Sequence, residues 1–324
     1  MQMGWAFVMP LAIESAIRNR IFDVLDGHSR TLAEVCEETN CSPRGAMALM
    51  DLLVSIELLT KDVNGEYALT PEASMFLVAG KPSFHGGFFR HLSKDLLPSY
   101  LQLDTAVRTG NPIRSVNDSL EGEAFFKGFV EDLMPINFPA AKAVARELLS
   151  HRQSETTRVL DVAAGSGVWG IAVAEAFPKA TLTAVDMPAV LNVTRSVVQR
   201  FGLSNRFHDI AGDLLEVDFG KEYSVAILGH ILHSEGEERG RRLLSKTYAA
   251  LDRGGTIVIS EFLLDDDRTT PTHAAIFNVN MLVNTAHGRS FTFSELHGWL
   301  EELGFRNVRT LKVPAPSPVI LADK

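Results

Sequence analysis

The chain has 324 residues, of which 46% are apolar and 22% are charged, and its formal net charge is −9. This composition is typical of a folded globular protein and excludes a disordered or fibrous one. The length exceeds that of a usual single domain, so we expect one large domain and one smaller one. The negative charge, without any cluster of Lys and Arg, argues against a general nucleic-acid binder.

The two cysteines, Cys36 and Cys41, are too few to cross-link a chain of this length, and no metal-ligand spacing accompanies them. We therefore expect reduced thiols and no metal site. The longest apolar run, from Trp5 to Ile13, is interrupted by Pro10 and is too short to cross a bilayer. These features predict a cytoplasmic chain with no membrane partner.

The first 70 residues carry the signals of a winged helix. A capping box, Thr31 to Glu34, opens a short helix, and Ser42-Pro43 opens a second one. Two short strands, 58–61 and 66–69, joined through Asn64-Gly65, form the expected wing. A winged helix suggests DNA binding, but its second helix carries one Arg44 against Asp51 and Glu57 and is otherwise apolar. We favour a structural or dimer-forming role over DNA reading.

Residues 84–150 indicate several helices, including 84–103 and 140–149, interrupted by Pro135 and Pro139. From residue 157 onward, strand and helix patterns alternate, which is typical of a doubly wound α/β domain. Only the Pro-rich segment 314–318 separates the last two strands, which is too short for a helical crossover, so we expect antiparallel neighbours. The predicted strands are 158–164, 181–187, 207–213, 223–230, 256–263, 308–313 and 319–323.

A glycine-rich turn follows the first strand of this α/β domain. Gly165 and Gly167 belong to a segment that formally matches the dinucleotide pattern G-x-G-x-x-G, and Asp186 ends the second strand, as a ribose-binding carboxylate would. A nicotinamide dinucleotide is therefore one candidate cofactor. Asp161, four residues before the first glycine, Gly212-Asp213 at the end of the third strand, and the terminal hairpin are not required by dinucleotide domains.

With these three features the chain resembles class I S-adenosylmethionine-dependent methyltransferases, and more narrowly the plant caffeate-type and bacterial secondary-metabolite O-methyltransferases. The resemblance covers essentially the whole chain. It implies a Rossmann-like methyltransferase domain with a C-terminal antiparallel hairpin, preceded by an α-rich winged-helix dimerisation domain. The implied divisions are a dimerisation domain at 1–83, a helical linker with acceptor-pocket helices at 84–150, and a catalytic domain at 151–324.

The resemblance also implies a cofactor site for S-adenosylmethionine, with S-adenosylhomocysteine as its product. Two glycines line the methionine end, one carboxylate holds the ribose hydroxyls, a methionine packs on adenine, and Asp213 with Leu214 reads the adenine edge. The family usually has two further glycines where this chain has Ala163-Ala164, and a larger side chain there would shift the cofactor. The implied cofactor residues are Asp161, Gly165, Gly167, Asp186, Met187, Asp213, Leu214 and Gly229.

The fourth strand ends in a segment that resembles the family's Ile-Leu-His motif, so its catalytic base corresponds to His233. The unperturbed pKa of a histidine lies near 6.5, so a neutral imidazole can accept a hydroxyl proton near neutral pH. Glu261 ends the fifth strand at the spacing seen in the plant relatives and is expected to orient the imidazole. The resemblance places the family's Asp after the histidine at Ser234 and its second orienting glutamate near Ser290, so both acidic residues are missing from this chain. His230 is a candidate accessory group.

These features predict methyl transfer to a hydroxyl group of a small aromatic or polyketide-like metabolite by a homodimeric enzyme. Two alternatives stay open: the same cofactor with C- or N-methylation or a non-methylating reaction, and a cofactor-sensing winged-helix regulator. Aromatic, methionine and amide side chains on the helices that match the family's acceptor site suit a flat, mostly apolar ligand. The acceptor-pocket candidates are Phe125, Met134, Phe138, Asn278, Met281 and Asn284.

Overall fold

The computed structural model describes residues 2–115, 120–151 and 157–324, apart from the side chains at positions 2, 3, 120–124 and 127. The chain separates into two compact units, Met1–Leu101 and Gln102–Lys324. Each unit buries apolar side chains in a core of its own.

The first unit is helical with one small hairpin. Its elements are α1 Gln2–Trp5, α2 Val8–Arg18, α3 Ile21–Val24, α4 Leu32–Thr39, α5 Pro43–Ser55, β1 Leu59–Lys61, β2 Tyr67–Leu69, α6 Pro71–Phe76, α7 Gly86–His91, a π-helical segment Leu92–Leu96 and α8 Leu97–Tyr100.

Local sequence accounts for the ends of these helices. The hydroxyl of Thr31 accepts from the N–H of Glu34 while the Glu34 carboxylate accepts from the N–H of Thr31, so the expected capping box is present at α4. Ser42 caps α5, with Pro43 in its first turn. β1 and β2 pair antiparallel as the wing, and the unit has the winged-helix elements that the sequence predicts.

The second unit is an α/β sheet with helices on both faces. Its elements are α9 Leu103–Thr109, α10 Leu120–His151, β3 Arg158–Val162, α11 Val168–Ala176, β4 Thr181–Asp186, α12 Pro188–Arg200, a 3₁₀ turn Ser204–Arg206, β5 Phe207–Ala211, β6 Tyr223–Gly229, α13 Leu232–Ala250, β7 Leu251–Ser260, α14 Thr272–Asn284, α15 Phe293–Leu303, β8 Arg306–Leu311 and β9 Val319–Asp323.

The seven strands lie in the order β5-β4-β3-β6-β7-β9-β8. The first five in this order are parallel, whereas β9 runs antiparallel to both β7 and β8. The expected terminal hairpin is therefore confirmed. The strand order reverses between β3 and β6, and in open α/β sheets ligands bind at the carboxyl ends of the strands at such a reversal.

One sequence expectation about the helices is wrong. Pro135 and Pro139 do not separate two helices. Both lie inside α10, which runs continuously from Leu120 to His151. A proline in a helix interior removes a hydrogen bond and costs about 3 kcal/mol. Apolar side chains of α10, among them Ala141 and Val144, are buried in the same core cluster as α11 and α12, and this packing outweighs the local preference.

Candidate active site

The glycine-rich turn between β3 and α11 forms one wall of the site. Gly165 and Gly167 have φ values of 57° and 77°, a left-handed conformation that glycine adopts without strain. A side chain on Gly165 would contact Val130 of α10 at 3.4 Å, so α10 lies directly over this turn. Across the reversal point, a side chain on Gly229 would collide with the indole of Trp169. Backbone therefore approaches its neighbours closely on both sides of the turn.

Two buried carboxylates lie beside this turn. Asp186 accepts hydrogen bonds from the N–H groups of Gly165 at 2.8 Å and Met187 at 2.7 Å. Burial raises the pKa of Asp186 to about 6, although these two hydrogen bonds oppose the shift. Asp161 is completely buried and accepts from the N–H of Gly170 at 2.9 Å. Burial is also the main cause that raises the pKa of Asp161 to about 8.

A third carboxylate follows β5 on the same side of β3. Asp213 accepts from the N–H of Leu215 at 2.8 Å and forms an ion pair of 3.2 Å with Arg239 of α13. Burial would raise the pKa of Asp213, but this hydrogen bond and the guanidinium outweigh it and the net pKa is lowered. The neighbouring residue Leu214 uses its carbonyl to accept from Lys246 at 2.9 Å.

These residues fit an adenosine-containing cofactor with a charged amino-acid end. The glycine turn offers a cradle without side chains, and Asp186 lies at the end of β4, next to it. The Oδ1 atom of Asp161 is buried and has no hydrogen-bond partner among the described residues, so its capacity to form a hydrogen bond is still unused. Met187 lies at the first position before α12, between Asp186 and the helix.

The imidazole of His233 is bound on one side by a single carboxylate. Its Nδ1 lies 2.6 Å from Oε2 of Glu261, and the other carboxylate oxygen accepts from the main-chain N–H of His233 at 3.3 Å. Both residues are buried. Burial alone would raise the pKa of Glu261, but the charge and hydrogen bond of His233 outweigh it, and the pKa lies below its usual value. In the tautomer whose Nδ1–H donates to the carboxylate, the Nε2 atom carries the lone pair.

Aromatic rings surround this imidazole. Phe277 of α14 meets it edge to face at a centroid distance of 4.8 Å, and Phe262 stacks on Phe277 at 4.1 Å. The ring centroids of His230 and His233 lie 6.3 Å apart, and the Nε2 atom of His230 is 2.8 Å from the hydroxyl of Ser317. Burial is the main cause that lowers the pKa of His230 to about 4, so this ring is neutral near neutral pH.

The three predicted acceptor residues of α14 are engaged in contacts of their own. The side-chain oxygen of Asn278 accepts from the N–H of Ser290 at 2.8 Å, and Asn284 donates to the side chain of Asn280 at 2.9 Å. Met281 is buried. Ser290 is buried too, and its hydroxyl donates to the carbonyl of Ala274. The structure therefore gives Asn278 a role in fixing the segment after α14.

The three predicted acceptor residues of α10 lie at different levels of that helix. Phe125 lies near its start and packs on Phe129 at 5.3 Å. Met134 packs against the core of the second unit. Phe138 contacts the ring of Phe201 at 5.5 Å, just beyond the end of α12, which is the end of that helix away from Met187. The structure therefore does not group Phe138 with the glycine turn.

Several residues of this region were not predicted from the sequence. Phe262 follows Glu261 directly, and Phe277 precedes Asn278 on α14, so their adjacency to predicted residues was an available signal. No sequence signal pointed to Trp169 or Arg239. Trp169 contacts Gly229 and Arg239 pairs with Asp213 only because of how α11 and α13 pack on the sheet.

Comparison with known proteins decides the family. The chain matches a model of the O-methyltransferase domain at residues 138–306 and a model of the O-methyltransferase dimerisation domain at residues 1–79. This chain belongs to the O-methyltransferase family. As a member, it is an S-adenosylmethionine-dependent enzyme, and the nicotinamide and regulator alternatives are set aside. Its match to the dimerisation domain covers the winged-helix elements.

Three relatives illustrate this O-methyltransferase membership. The chain is 30% identical to 3-hydroxy-5-methyl-1-naphthoate 3-O-methyltransferase of Streptomyces sahachiroi, over 94% of this chain and 88% of that protein. It is 28% identical to the tetracenomycin polyketide synthesis 8-O-methyltransferase TcmO of Streptomyces glaucescens, over 100% of this chain and 96% of that protein. The solved structure of PigF with S-adenosylhomocysteine superposes with a TM-score of 0.87 at 26% identity. The superposition covers 100% of this chain and 98% of the PigF chain.

Two further observations concern metal-binding groups and membrane-spanning helices among the described residues. Among them, no three or more His, Cys, Asp or Glu residues form a group that could bind a metal ion. None of the helices in the described parts of the chain is both long enough and apolar enough to span a membrane.

Proposed function

We propose that this O-methyltransferase methylates a hydroxyl group on a flat, fused-ring aromatic metabolite, with His233 as the general base and Glu261 as its orienting carboxylate. The observation that carries the proposal is the 2.6 Å contact between His233 Nδ1 and Glu261 Oε2 inside an aromatic surround. It leaves Nε2 free to take the acceptor proton and supplies a carboxylate to stabilise the imidazolium that results.

The acceptor class is supported by the rings beside the imidazole. Phe262 and Phe277 stack on each other and are both partly exposed, so they offer an apolar surface against which a planar ring can pack. The names of two relatives, a naphthoate and a tetracenomycin O-methyltransferase, agree with such an acceptor. His230, neutral near neutral pH, adds a hydrogen-bonding group without a charge.

The proposed cofactor contacts follow from the three strand ends. Gly165, Gly167 and Gly229 are proposed to line the methionine end through their main-chain atoms, together with Asp161. Asp186 is proposed to hold the ribose hydroxyls, and Met187 is proposed to pack on adenine. Asp213 and Leu214 are proposed to face the adenine edge. S-adenosylmethionine supplies the methyl group as part of a sulfonium, so the chain's own tasks are alignment of the acceptor and removal of its proton.

Replacement of the two proposed groups tests this assignment. General-base catalysis typically contributes 10²- to 10⁴-fold, so we expect His233→Gln to lose about that much kcat while it retains cofactor affinity. Glu261→Gln should lose less, because the imidazole remains. The double variant should be no slower than His233→Gln, since a missing base has nothing to orient. Product formation from naphthols, phenols and amines is measured by mass spectrometry.

The exposed histidine His208 provides the control, since His208→Gln should keep full activity. The assays must extend below the pKa of the acceptor, because an acceptor that is already ionised needs no base. Full activity of His233→Gln under those conditions would refute the base assignment. Methylation of the amines in place of the naphthols would refute the hydroxyl assignment and leave the role of His233 to be judged separately.

We also propose a homodimer formed through residues 1–83. The dimerisation-domain match supports it, as do the exposed apolar side chains Trp5, Phe7 and Met9 near the start of the chain. Sedimentation at micromolar concentration should give about twice the chain mass of 35.5 kDa. Combined Trp5→Ser and Phe7→Ser replacement should shift the protein toward the monomer, whereas Leu149→Ser, at an exposed apolar residue of the second unit, should not. A monomeric parent protein would contradict the proposal.

A further inference from the structure

The turn that carries His233 is separated from the rest of its helix. Within α13, Gly236 has φ 73° and ψ −175°, far from helical values. Residues 232–235 therefore form one turn before this break. Because the backbone direction changes at Gly236, the remaining part of α13 does not by itself fix the position of the imidazole.

A loop from a different part of the sequence binds this turn. The main-chain N–H of Arg289 donates to the carbonyl oxygen of His233 at 2.8 Å. Arg289 belongs to residues 285–289, the first part of the segment between α14 and α15, which we call the docking loop. Together with the two hydrogen bonds of Glu261, this contact holds His233 at its main-chain nitrogen, its ring and its carbonyl.

Two glycines permit the docking loop to approach so closely. A side chain on Gly288 would place its Cβ 2.5 Å from the carbonyl oxygen of His233 and in collision with the hydroxyl of Thr285. A side chain on Gly236 would collide with the carbonyl oxygen of His287. Both collisions involve backbone atoms, which cannot move aside as a flexible side chain can.

Charged side chains fix the docking loop to the helices on either side. The guanidinium of Arg289 donates to Glu295 of α15 at 2.8 Å and to Glu237 of α13 at 3.0 Å. Arg268 also binds Glu295, at 3.2 Å, and donates to the carbonyl of Ser290 at 2.8 Å. A planar guanidinium that bridges two carboxylates fixes its own backbone more firmly than a single contact would.

We propose that the docking loop is a positioning element for His233, with Gly288 and Arg289 as its positioning residues. The proposal rests on the proposed role of His233 as the base. The loop follows α14 directly, and α14 carries Phe277 against the imidazole. One backbone contact thus sets the base and the proposed acceptor surface relative to each other.

The sharpest test is Gly288→Ala, with Gly298→Ala as its matched control. Gly298 lies in α15, and a side chain there would meet no atom within 4 Å. A displacement of about 1 Å can reduce the rate by as much as 10²-fold, so we expect kcat of Gly288→Ala to fall by about 10- to 100-fold with little change in cofactor affinity. Gly298→Ala should keep the parent kcat.

Proton NMR provides a reading that does not depend on activity. An imidazole N–H that donates to a buried carboxylate gives a resonance at low field, which is assigned by its loss in His233→Gln and in Glu261→Gln. We expect this resonance to shift or broaden in Gly288→Ala and to remain in Gly298→Ala. If His233→Gln proves fully active, the base assignment fails, and the resonance still reports whether the loop positions the ring.

A second pair of variants applies if Gly288→Ala does not fold. Arg289→Gln keeps the main-chain donor but removes both ion pairs of the loop, so kcat should fall severalfold, and Arg289→Lys should recover part of the loss. The parent kcat together with an unchanged low-field resonance would overturn the proposal. That result counts equally in Gly288→Ala and in Arg289→Gln.

Discussion

Ala163 has a backbone conformation that L-residues rarely adopt. Its φ is 55°, whereas its neighbour Ala164 is not among the residues with positive φ. A left-handed conformation costs a non-glycine residue about 1–2 kcal/mol. The chain thus adopts at Ala163 a conformation that favours glycine, and it bears the strain there. Strain of this kind is concentrated at functional sites.

Ala163→Gly should therefore stabilise the protein. The gain is expected to be about 1 kcal/mol, because glycine removes the strain but adds freedom to the unfolded chain. For a unit of this size that corresponds to a rise in Tm of about 2–4 °C. Ala164→Gly is the matched control and should lower Tm, since Ala164 is buried and has no such strain to lose. A lower Tm for Ala163→Gly would show that the turn is not strained.

At the scale of single residues, the sequence located the carboxylates better than the aromatic groups. Asp186 and Glu261 could be placed because each lies at the carboxyl end of a parallel strand, and such ends meet at one edge of a sheet. Phe277 was signalled only by its adjacency to Asn278, and Arg289 could not be placed, because its contact with the turn of His233 depends on how the segment after α14 folds back. No periodicity in the sequence encodes that contact.

At the scale of elements, short-range signals predicted boundaries and long-range packing overrode one of them. The capping box at α4 and the hairpin of β1 and β2 are determined by residues a few positions apart, so they were predictable. The continuity of α10 could not be predicted in this way, because it depends on packing against α11 and α12. The break in α13 was also hidden, because glycine within a helical pattern does not reveal its φ.

The whole sheet was predictable in outline because connection length limits topology. Helical crossovers require parallel neighbours, and the short Pro-rich connection before β9 requires an antiparallel one. The order β5-β4-β3-β6-β7-β9-β8 satisfies both conditions. This order brings the carboxyl ends of β3, β4 and β6 together at the reversal point. The buried carboxylates of Asp161 and Asp186 therefore lie close to each other there.

That accumulation of buried carboxylates makes global stability depend on pH. Asp161 has a native pKa of about 8, whereas a carboxyl in the unfolded chain ionises near 3.9. Between these two values the native state holds a proton that the unfolded state has lost. Stability should therefore fall as pH rises from about 4 to about 8, by up to about 1.4 kcal/mol per pH unit from Asp161. Asp186, with a pKa of about 6, adds to the fall below that pH.

Asp161→Asn removes this titration and isolates its contribution. We expect the Tm of the parent protein, relative to that of Asp161→Asn, to decrease by about 10 °C between pH 5 and pH 8 and then to level off. Asp252→Asn replaces an exposed carboxylate and should follow the parent at every pH. The measurements are made without added cofactor, since binding to the native state would itself change Tm. Parallel curves for the parent and Asp161→Asn would mean that Asp161 ionises at its ordinary pKa, and that the unpartnered Oδ1 is stabilised in some other way.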